Sequence, residues 1–252
     1  MSKVFRGFGG QLKSGPAIPS PNIWHWPEVY EQENRAQDAD GVLWAELATA
    51  APWAGGDVVD VGCGDGFHLP RFAETARSVI GVEPHPPLVA RARARGLDVR
   101  RGGAEALPLP AGSADLVHAR TAYFFGAGCE PGLAEADRVL RPGGVLAIVD
   151  LDFTVGPYGA WLRADLPRYD PAAVERFFAG QGFDQRRITS TWRFPDRPTL
   201  EAVLKIEFAP ATAARASAET RGLTIEVGYR LHTRRRPAGL ITSRRCTAPA
   251  PR

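Results

Sequence analysis

Two acids and a glycine-rich turn are the residues of this chain best placed to do chemistry. Asp60 follows a run of valines and precedes three glycines, Gly62, Gly64 and Gly66. Glu83 ends the next apolar run along the chain. A turn without side chains lets a ligand lie across the main chain, and an acid at the tip of the next strand can accept hydrogen bonds from both hydroxyls of a ribose. The pattern predicts a site for a nucleoside-type ligand.

The glycine spacing narrows the choice of ligand. A dinucleotide fingerprint, G-x-G-x-x-G, would need glycine where this chain has Phe67, and no Gly-Lys-Ser/Thr ending of a phosphate-binding loop is present. Asp60, two residues before the first glycine, would repel a pyrophosphate but suits a ligand with a positive amino or sulfonium group. An NAD(P)-dependent oxidoreductase is therefore the less favoured alternative, which cofactor titration would test.

Strands and helices alternate around this turn, which predicts a doubly wound α/β sheet with the site at the carboxyl ends of its strands. The valine run is typical of a buried parallel strand. The other predicted elements, in chain order, are a helix over 67–76, a strand over 78–82, a helix over 86–95, strands over 97–100 and 114–120, a helix over 131–140, a turn over 141–144 and a strand over 145–149.

Several ordered blocks resemble class I S-adenosylmethionine-dependent methyltransferases, of the small-molecule type related to the ubiquinone/menaquinone methyltransferase group. The blocks are 58–66, 82–84, 103–110, 114–117 and 135–144. The resemblance implies a Rossmann-like sheet of seven strands, mostly parallel with an antiparallel last strand, and helices on both faces. It also implies S-adenosylmethionine as the cofactor and S-adenosylhomocysteine as the product.

The resemblance further implies a role for each residue of the site. Asp60 would meet the methionine amino group, Glu83 would take the ribose hydroxyls, and Arg120 would face the methionine side of the pocket. The backbone at Gly62, Cys63, Gly64 and Gly66 would pass beneath the cofactor, Pro84 would lie against the adenine, and Ala104 and Glu105 would flank the adenine edge. Gly103 stands where relatives often carry a polar residue, so the adenine-amino contact expected there must come from elsewhere, such as the backbone.

Composition bounds the class of protein. The 252 residues with 44% apolar content predict one domain with a sizeable core. The net charge of +3, from 31 basic and 28 acidic side chains, gives no reason to expect a nucleic-acid partner. Cys63, Cys129 and Cys246 are widely separated, which favours a reducing, cytoplasmic location and argues against a disulfide framework or a metal site. No apolar run reaches membrane-spanning length, so we expect no membrane partner.

The chain divides into three predicted segments. Residues 1–22 are expected to be a flexible leader, 23–233 the methyltransferase domain, and 234–252 a disordered basic tail. Within the domain we expect an N-terminal helical lid over 23–52 and an aromatic insertion over 153–170. Residues 183–194 and 223–233 alternate as the last two strands should, with helical stretches between about 198 and 220.

The expected activity is transfer of a methyl group to oxygen, nitrogen or carbon of a small-molecule acceptor. Four side chains are candidate general bases, although none lies in a recognisable signature: Tyr30, His68, His118 and Tyr123. Among them, His118 lies inside a buried strand and reads as a core histidine, and His68 reads as a packing or capping residue. The sequence does not identify a catalytic residue.

Two other classes of protein would also bind this cofactor, nucleic-acid methyltransferases and non-catalytic binding proteins. An amino-directed nucleic-acid methyltransferase would carry an Asn/Asp-Pro-Pro-aromatic turn after the fourth strand, where this chain has the residues 120–123, Arg-Thr-Ala-Tyr. The Pro-Cys loop of the C5-directed kind is also missing. A non-catalytic protein that binds S-adenosylmethionine stays open, and it would bind the cofactor without turnover.

Overall fold

The computed structural model describes residues 21–122 and 126–238, and these contain a seven-stranded sheet with the strand order β3-β2-β1-β4-β5-β7-β6. The strands are β1 Asp57–Val61, β2 Ser78–Glu83, β3 Val99–Arg101, β4 Ala114–Arg120, β5 Leu140–Leu151, β6 Asp184–Arg193 and β7 Thr224–Arg235. β1 to β5 pair in parallel, and β7 runs antiparallel to both of its neighbours. The predicted doubly wound sheet with an antiparallel last strand is confirmed.

Ten helices connect or flank these strands in the described part of the chain. They are α1 Pro21–His25, α2 Pro27–Ala36, α3 Val42–Ala50, α4 Leu69–Ala73, α5 Pro86–Ala94, α6 Glu130–Val139, α7 Gly156–Asp165, α8 Pro171–Gly180, α9 Arg197–Glu207 and α10 Pro210–Glu219. Most of them have a proline in the first turn, where its fixed φ suits a helix. None of these helices has the length and apolar character that crossing a membrane requires.

Alternating residues of the central strands build a core on each face of the sheet. Val58 belongs to the larger hydrophobic cluster, together with residues of α3, α7, α9 and α10, whereas Val59 and Val61 belong to a second cluster that includes α6 and α8. Successive side chains of a strand point to opposite faces, so one valine run supplies both cores. The aromatic insertion contributes Tyr158 and Trp161, both buried in the larger cluster.

Two element boundaries differ from prediction, the start of β5 and the extent of α4. The predicted turn at 141–144 lies within β5, where the pairing with β4 jumps from Ala114–Leu140 to Leu116–Val145. Gly143, with φ +84°, takes up the extra length. The predicted helix over 67–76 shortens to α4, since the chain is still turning through residue 68.

The basic tail begins later than predicted, because β7 continues to Arg235. Arg234 lies over the Phe183 ring at 4.6 Å, and its Nη2 donates to both carboxylate oxygens of Asp137 at 2.8 Å. The backbone N–H of Arg236 donates to the Gly144 carbonyl at 2.8 Å. Long arginine side chains can cover apolar surface while keeping their charge paired, which composition alone does not show. Residues 239–252 lie outside the described residues.

The leader likewise ends earlier than predicted. Residues 21 and 22 belong to α1, and Asn22 is buried. Residues 1–20 of the predicted leader lie outside the described ranges.

Shortening the chain tests the corrected strand boundary. We expect a chain ending at Thr233 to unfold with a free energy about 2–4 kcal/mol lower than a chain ending at Ala238, because it loses the last β5–β7 pairs and the Arg234–Asp137 ion pair. Urea denaturation of the two chains measures the difference. Equal stabilities would show that the end of β7 contributes nothing.

Candidate active site

The glycine turn after β1 adopts a backbone that side chains would hinder. Gly62, Gly64 and Gly66 have φ of +73°, +59° and +81°, in the left-handed region. A Cβ at Gly64 would lie 2.6 Å from Cδ1 of Ile23, and one at Gly62 would lie 3.0 Å from Cβ of Ala122. The turn therefore presents bare main chain, a cradle of the kind that a nucleoside-type ligand requires.

Glu83 lies directly beside this turn, as the sequence predicts. Its carboxylate accepts the backbone N–H of Gly64 at 3.0 Å and that of His85 at 2.9 Å, and the side chain is only 4% exposed. Burial raises the pKa of Glu83 above its ordinary value. The acid is thus fixed at the carboxyl end of β2, where its oxygens can receive hydroxyl donors.

Asp60 has a partner that sequence reasoning missed. His118 stands opposite Asp60 in the parallel pairing of β1 with β4, and its Nδ1 lies 2.7 Å from the Asp60 Oδ1. Both side chains are buried. The interpretation of His118 as a buried core histidine is confirmed, and its ring hydrogen-bonds Asp60. The signal available in the sequence was its position on the neighbouring strand.

The first predicted lid helices lie over the carboxyl ends of these strands. Ile23 of α1 rests on Gly64, and the Trp24 ring stacks on His85 with centroids 4.1 Å apart and planes 8° apart. Arg91 of α5 joins α2 to the turn, since it bonds Glu28 at 2.7 Å and Asp65 at 3.1 Å. The third helix, α3, instead packs its buried face into the larger core cluster.

The remaining predicted contact residues follow the ends of neighbouring strands. Gly103, Ala104 and Glu105 form a turn after β3, in which the Ala106 N–H donates to the Gly103 carbonyl at 3.3 Å and Glu105 is exposed. Pro84 is half-buried directly after β2. Burial and the nearby acids Asp60 and Glu83 hold the pKa of the Cys63 thiol far above its ordinary value, so it stays protonated. Cys63 and Cys129 are both free.

Arg120 ends β4 on the same edge of the sheet. Its guanidinium carbon lies 5.5 Å from the centre of the Tyr229 ring, and its Nη2 is buried without a hydrogen-bond partner among the described residues. The structure therefore brings Asp60, the glycine turn, Glu83 and Arg120 together at the carboxyl ends of β1, β2 and β4.

The candidate bases divide by environment. Burial holds the pKa of Tyr30 well above its ordinary value, which keeps the phenol protonated. Burial, with Arg120 and His118 nearby, lowers the pKa of His68 well below its ordinary value, and its ring packs edge-on against Trp44 at 5.6 Å. The packing interpretation of His68 agrees with this contact. Tyr123 lies outside the described residues.

Comparison with known proteins relates this part of the chain to methyltransferases. A family model described as a methyltransferase domain matches residues 59–148, a stretch that includes the glycine turn, Glu83 and Arg120. This part of the chain is similar to S-adenosylmethionine-dependent methyltransferases. The bare turn beside two buried acids fits S-adenosylmethionine, the cofactor named for the relative from Mycolicibacterium smegmatis described next.

Relatives of this methyltransferase domain are partial matches. A probable S-adenosylmethionine-dependent methyltransferase of Mycolicibacterium smegmatis is 39% identical over 104 residues, 38% of each chain. A ubiquinone/menaquinone biosynthesis C-methyltransferase of Rubrivivax gelatinosus is 30% identical over 171 residues, 64% of this chain and 66% of that protein. The chain thus matches only part of the length of these two relatives, 38% of the first and 66% of the second.

A solved structure supports the fold of the methyltransferase domain. The crystal structure of an S-adenosylmethionine-dependent methyltransferase from Thermotoga maritima aligns with a TM-score of 0.55. The alignment covers 84% of this chain and 97% of that one at 20% sequence identity.

Alanine at Gly64 tests the turn of the methyltransferase domain. We expect Gly64→Ala to lower the free energy of unfolding by about 1–2 kcal/mol through its positive φ. It should also weaken S-adenosylhomocysteine binding, because the new methyl would lie 2.6 Å from Cδ1 of Ile23 and force the turn or α1 to shift. Gly112→Ala is the control, since Gly112 has a φ of +62° but no atom near its Cβ position. Thermal denaturation and calorimetry should show destabilisation in both variants and lost affinity only in the first. Equal loss of affinity would contradict the assignment.

Proposed function

We propose that this protein transfers the methyl group of S-adenosylmethionine to a small-molecule acceptor. The observation that carries the proposal is the glycine turn with Asp60 and Glu83 fixed beside it, one acid held by His118 and the other by two backbone N–H groups. Two buried acids at one strand edge suit a ligand with a ribose at one end and positive groups at the other.

Each part of the site would hold a different part of the cofactor. Glu83 would accept the ribose hydroxyls, Asp60 would face the methionine amino group, and Pro84 with Ala104 would lie along the adenine. Arg120 would stand on the methionine side. When bound, S-adenosylmethionine supplies a methyl group already activated on a sulfonium sulfur.

The chain's own contribution is then positioning and exclusion of water. Alignment of a nucleophile with its target can be worth about 7–11 kcal/mol of the barrier, so an acidic or already deprotonated acceptor needs little further help. The cover of α1 over the glycine turn, through Ile23 and Trp24, supports a site shielded from water.

The methylated atom is oxygen, nitrogen or carbon of the acceptor. The relative from Rubrivivax gelatinosus is named a C-methyltransferase, which supports carbon as one of the three. The near-balanced charge of the whole chain supports a small-molecule acceptor rather than nucleic acid.

Calorimetry followed by mass spectrometry tests the proposal. We expect S-adenosylhomocysteine to bind and NADH to give no heat. Adding protein and S-adenosylmethionine to a small-molecule extract should then increase the mass of one compound by one methyl in place of hydrogen. Binding of NADH without S-adenosylhomocysteine would overturn the proposal, and cofactor binding without any methylated product would favour the non-catalytic alternative.

A further inference from the structure

A buried acid pair lies between the N-terminal helices and the helix α9. Glu33 of α2 and Glu207 of α9 are 3% and 7% exposed. Tyr158 donates its hydroxyl to Glu207 at 2.9 Å, the Asn22 amide also donates to Glu207, and the Gln37 amide donates to Glu33 at 3.0 Å. Burying two carboxyl groups this deeply costs desolvation free energy, which hydrogen bonds or an opposite charge must offset.

The cluster around the acid pair has too few hydrogen-bond donors. Oδ1 of Asn22, Oε2 of Glu33 and Oε1 of Gln37 are buried oxygens that receive no hydrogen bond in the part of the chain that the structure describes. Asn22 and Glu33 are themselves more than nine-tenths buried. Buried acceptors nearly always find a donor. A proton on Glu33 can satisfy its own Oε2, but the amide oxygens of Asn22 and Gln37 indicate a missing partner that is rich in N–H groups.

The charge of the cluster also leaves room for one cation. Burial and the neighbouring Glu207 raise the pKa of Glu33 well above its ordinary value, so Glu33 keeps a proton and donates it to Glu207. Arg120 is the cation that acts on Glu33. If Glu33 and Glu207 were both ionised, their two negative charges and the positive charge of Arg120 would leave a net charge of −1. A ligand with one positive charge would neutralise this charge in place of the proton on Glu33.

The acid pair adjoins the methionine side of the cofactor site. Arg120 ends β4, the next residue, Thr121, hydrogen-bonds Tyr30 of α2, and Ala122 approaches Gly62 of the glycine turn. The end of β4 therefore connects the cradle to α2, the helix that carries Glu33. An acceptor must reach this same edge for the methyl group to be transferred.

We propose that the cluster around the acid pair Glu33–Glu207 binds the acceptor, and that the acceptor is a small amine whose protonated nitrogen donates to Glu33 and to the amide oxygens of Asn22 and Gln37. This rests on the proposed methyl transfer and specifies its substrate class. An ammonium group supplies three donors, as many as the orphan oxygens accept. Binding displaces the proton of Glu33 into solvent, so one positive charge replaces another.

Ligands that share a ring and differ in the head group test the substrate class. The probes are tyramine, 4-hydroxyphenethyl alcohol and 3-(4-hydroxyphenyl)propionate, each titrated into the protein with S-adenosylhomocysteine at pH 7. We expect tyramine to bind about 10- to 100-fold more tightly than the alcohol, because charged hydrogen bonds in a buried site are strong. The carboxylate should not bind. Equal affinity for amine and alcohol, or preference for the carboxylate, would overturn the proposal.

Proton release separates the acid pair from an unspecific amine site. Titration of tyramine in phosphate and in HEPES, which differ in ionisation enthalpy and contain no primary amine, should reveal about one proton released for each amine bound. Glu33→Gln should abolish this release and weaken tyramine about tenfold or more, whereas Glu46→Gln, at an acid whose side chain is 41% exposed, should change neither. Undiminished proton release in Glu33→Gln would exclude Glu33 as the source and overturn the assignment.

Cofactor binding keeps the two proposals distinguishable. S-adenosylhomocysteine should bind wild type and Glu33→Gln alike, which also shows that the variant is folded. Binding of S-adenosylhomocysteine with no heat from tyramine would reject the amine proposal alone. Absence of S-adenosylhomocysteine binding would reject the proposed function, while tyramine can still be titrated by itself.

Discussion

Glu83→Ala should weaken the binding of S-adenosylhomocysteine by about 100- to 1,000-fold. The carboxylate would accept two ribose hydroxyls, and hydrogen bonds to a charged group contribute about 1.5–3 kcal/mol each. The same carboxylate now accepts the N–H groups of Gly64 and His85, so its removal also frees the glycine turn. Isothermal titration calorimetry with the full-length chain measures the loss.

Glu74→Ala is the matched control for Glu83→Ala, because Glu74 is an exposed acid at the end of α4. It should bind S-adenosylhomocysteine as the wild type does. Unchanged affinity in Glu83→Ala would remove Glu83 from the site and, with it, the ribose contact on which the proposed function depends.

Asp150→Asn should remove a large pH dependence of stability. Asp150 is fully buried on β5 opposite Arg230, and neither of its carboxylate oxygens has a hydrogen-bond partner among the described residues. Burial raises its pKa to about 7, although Arg230 opposes the change. Against 3.8 in the unfolded chain, this corresponds to about 4 kcal/mol at most.

The direction of this pH dependence follows from the number of protons that Asp150 binds in the folded and unfolded states. Between pH 4 and pH 7 the folded state holds a proton on Asp150 that the unfolded state has released, so stability falls as pH rises through this window. Asparagine cannot ionise. Relative to wild type, the unfolding free energy of Asp150→Asn should therefore improve by up to about 4 kcal/mol from pH 4 to pH 8, as urea denaturation at each pH would show.

Asp152→Asn should show the opposite pH dependence of stability, although Asp152 lies only two residues after Asp150. Burial opposes ionisation of Asp152, but hydrogen bonds from Thr154 at 2.6 and 2.8 Å and an ion pair with Arg187 lower its pKa overall. Its contribution is present at neutral pH and lost in acid, so the variant should be destabilised at pH 7 and less so below pH 4. The same pH trend in both variants would show that Asp150 does not titrate as described.

Local patterns predicted much of the site because its backbone is set by neighbours in the chain. The valine run, the alternating glycines and Glu83 at the end of the next apolar run predicted a nucleoside-type site, and the structure brings these residues together at the carboxyl ends of β1 and β2. A tight turn needs glycine wherever φ is positive, as at Gly62 and Gly64, and parallel strands end at a common edge. The constraint on φ acts within a few residues, so it can be predicted from the sequence.

The tertiary structure alone decided which distant side chains share a charge or a proton. His118 meets Asp60 only because β1 and β4 pair in one register, and Glu33 meets Glu207 only because α2 packs on α9. The added length of β7 depends on Asp137 and Phe183, which lie far from Arg234 in the chain. Local propensity determined the glycine turn and the strands. Burial and pairing across the sheet determined which side chains meet Asp60, Glu33 and Arg234, because desolvation and Coulomb energies depend on distance in space and not on distance along the sequence.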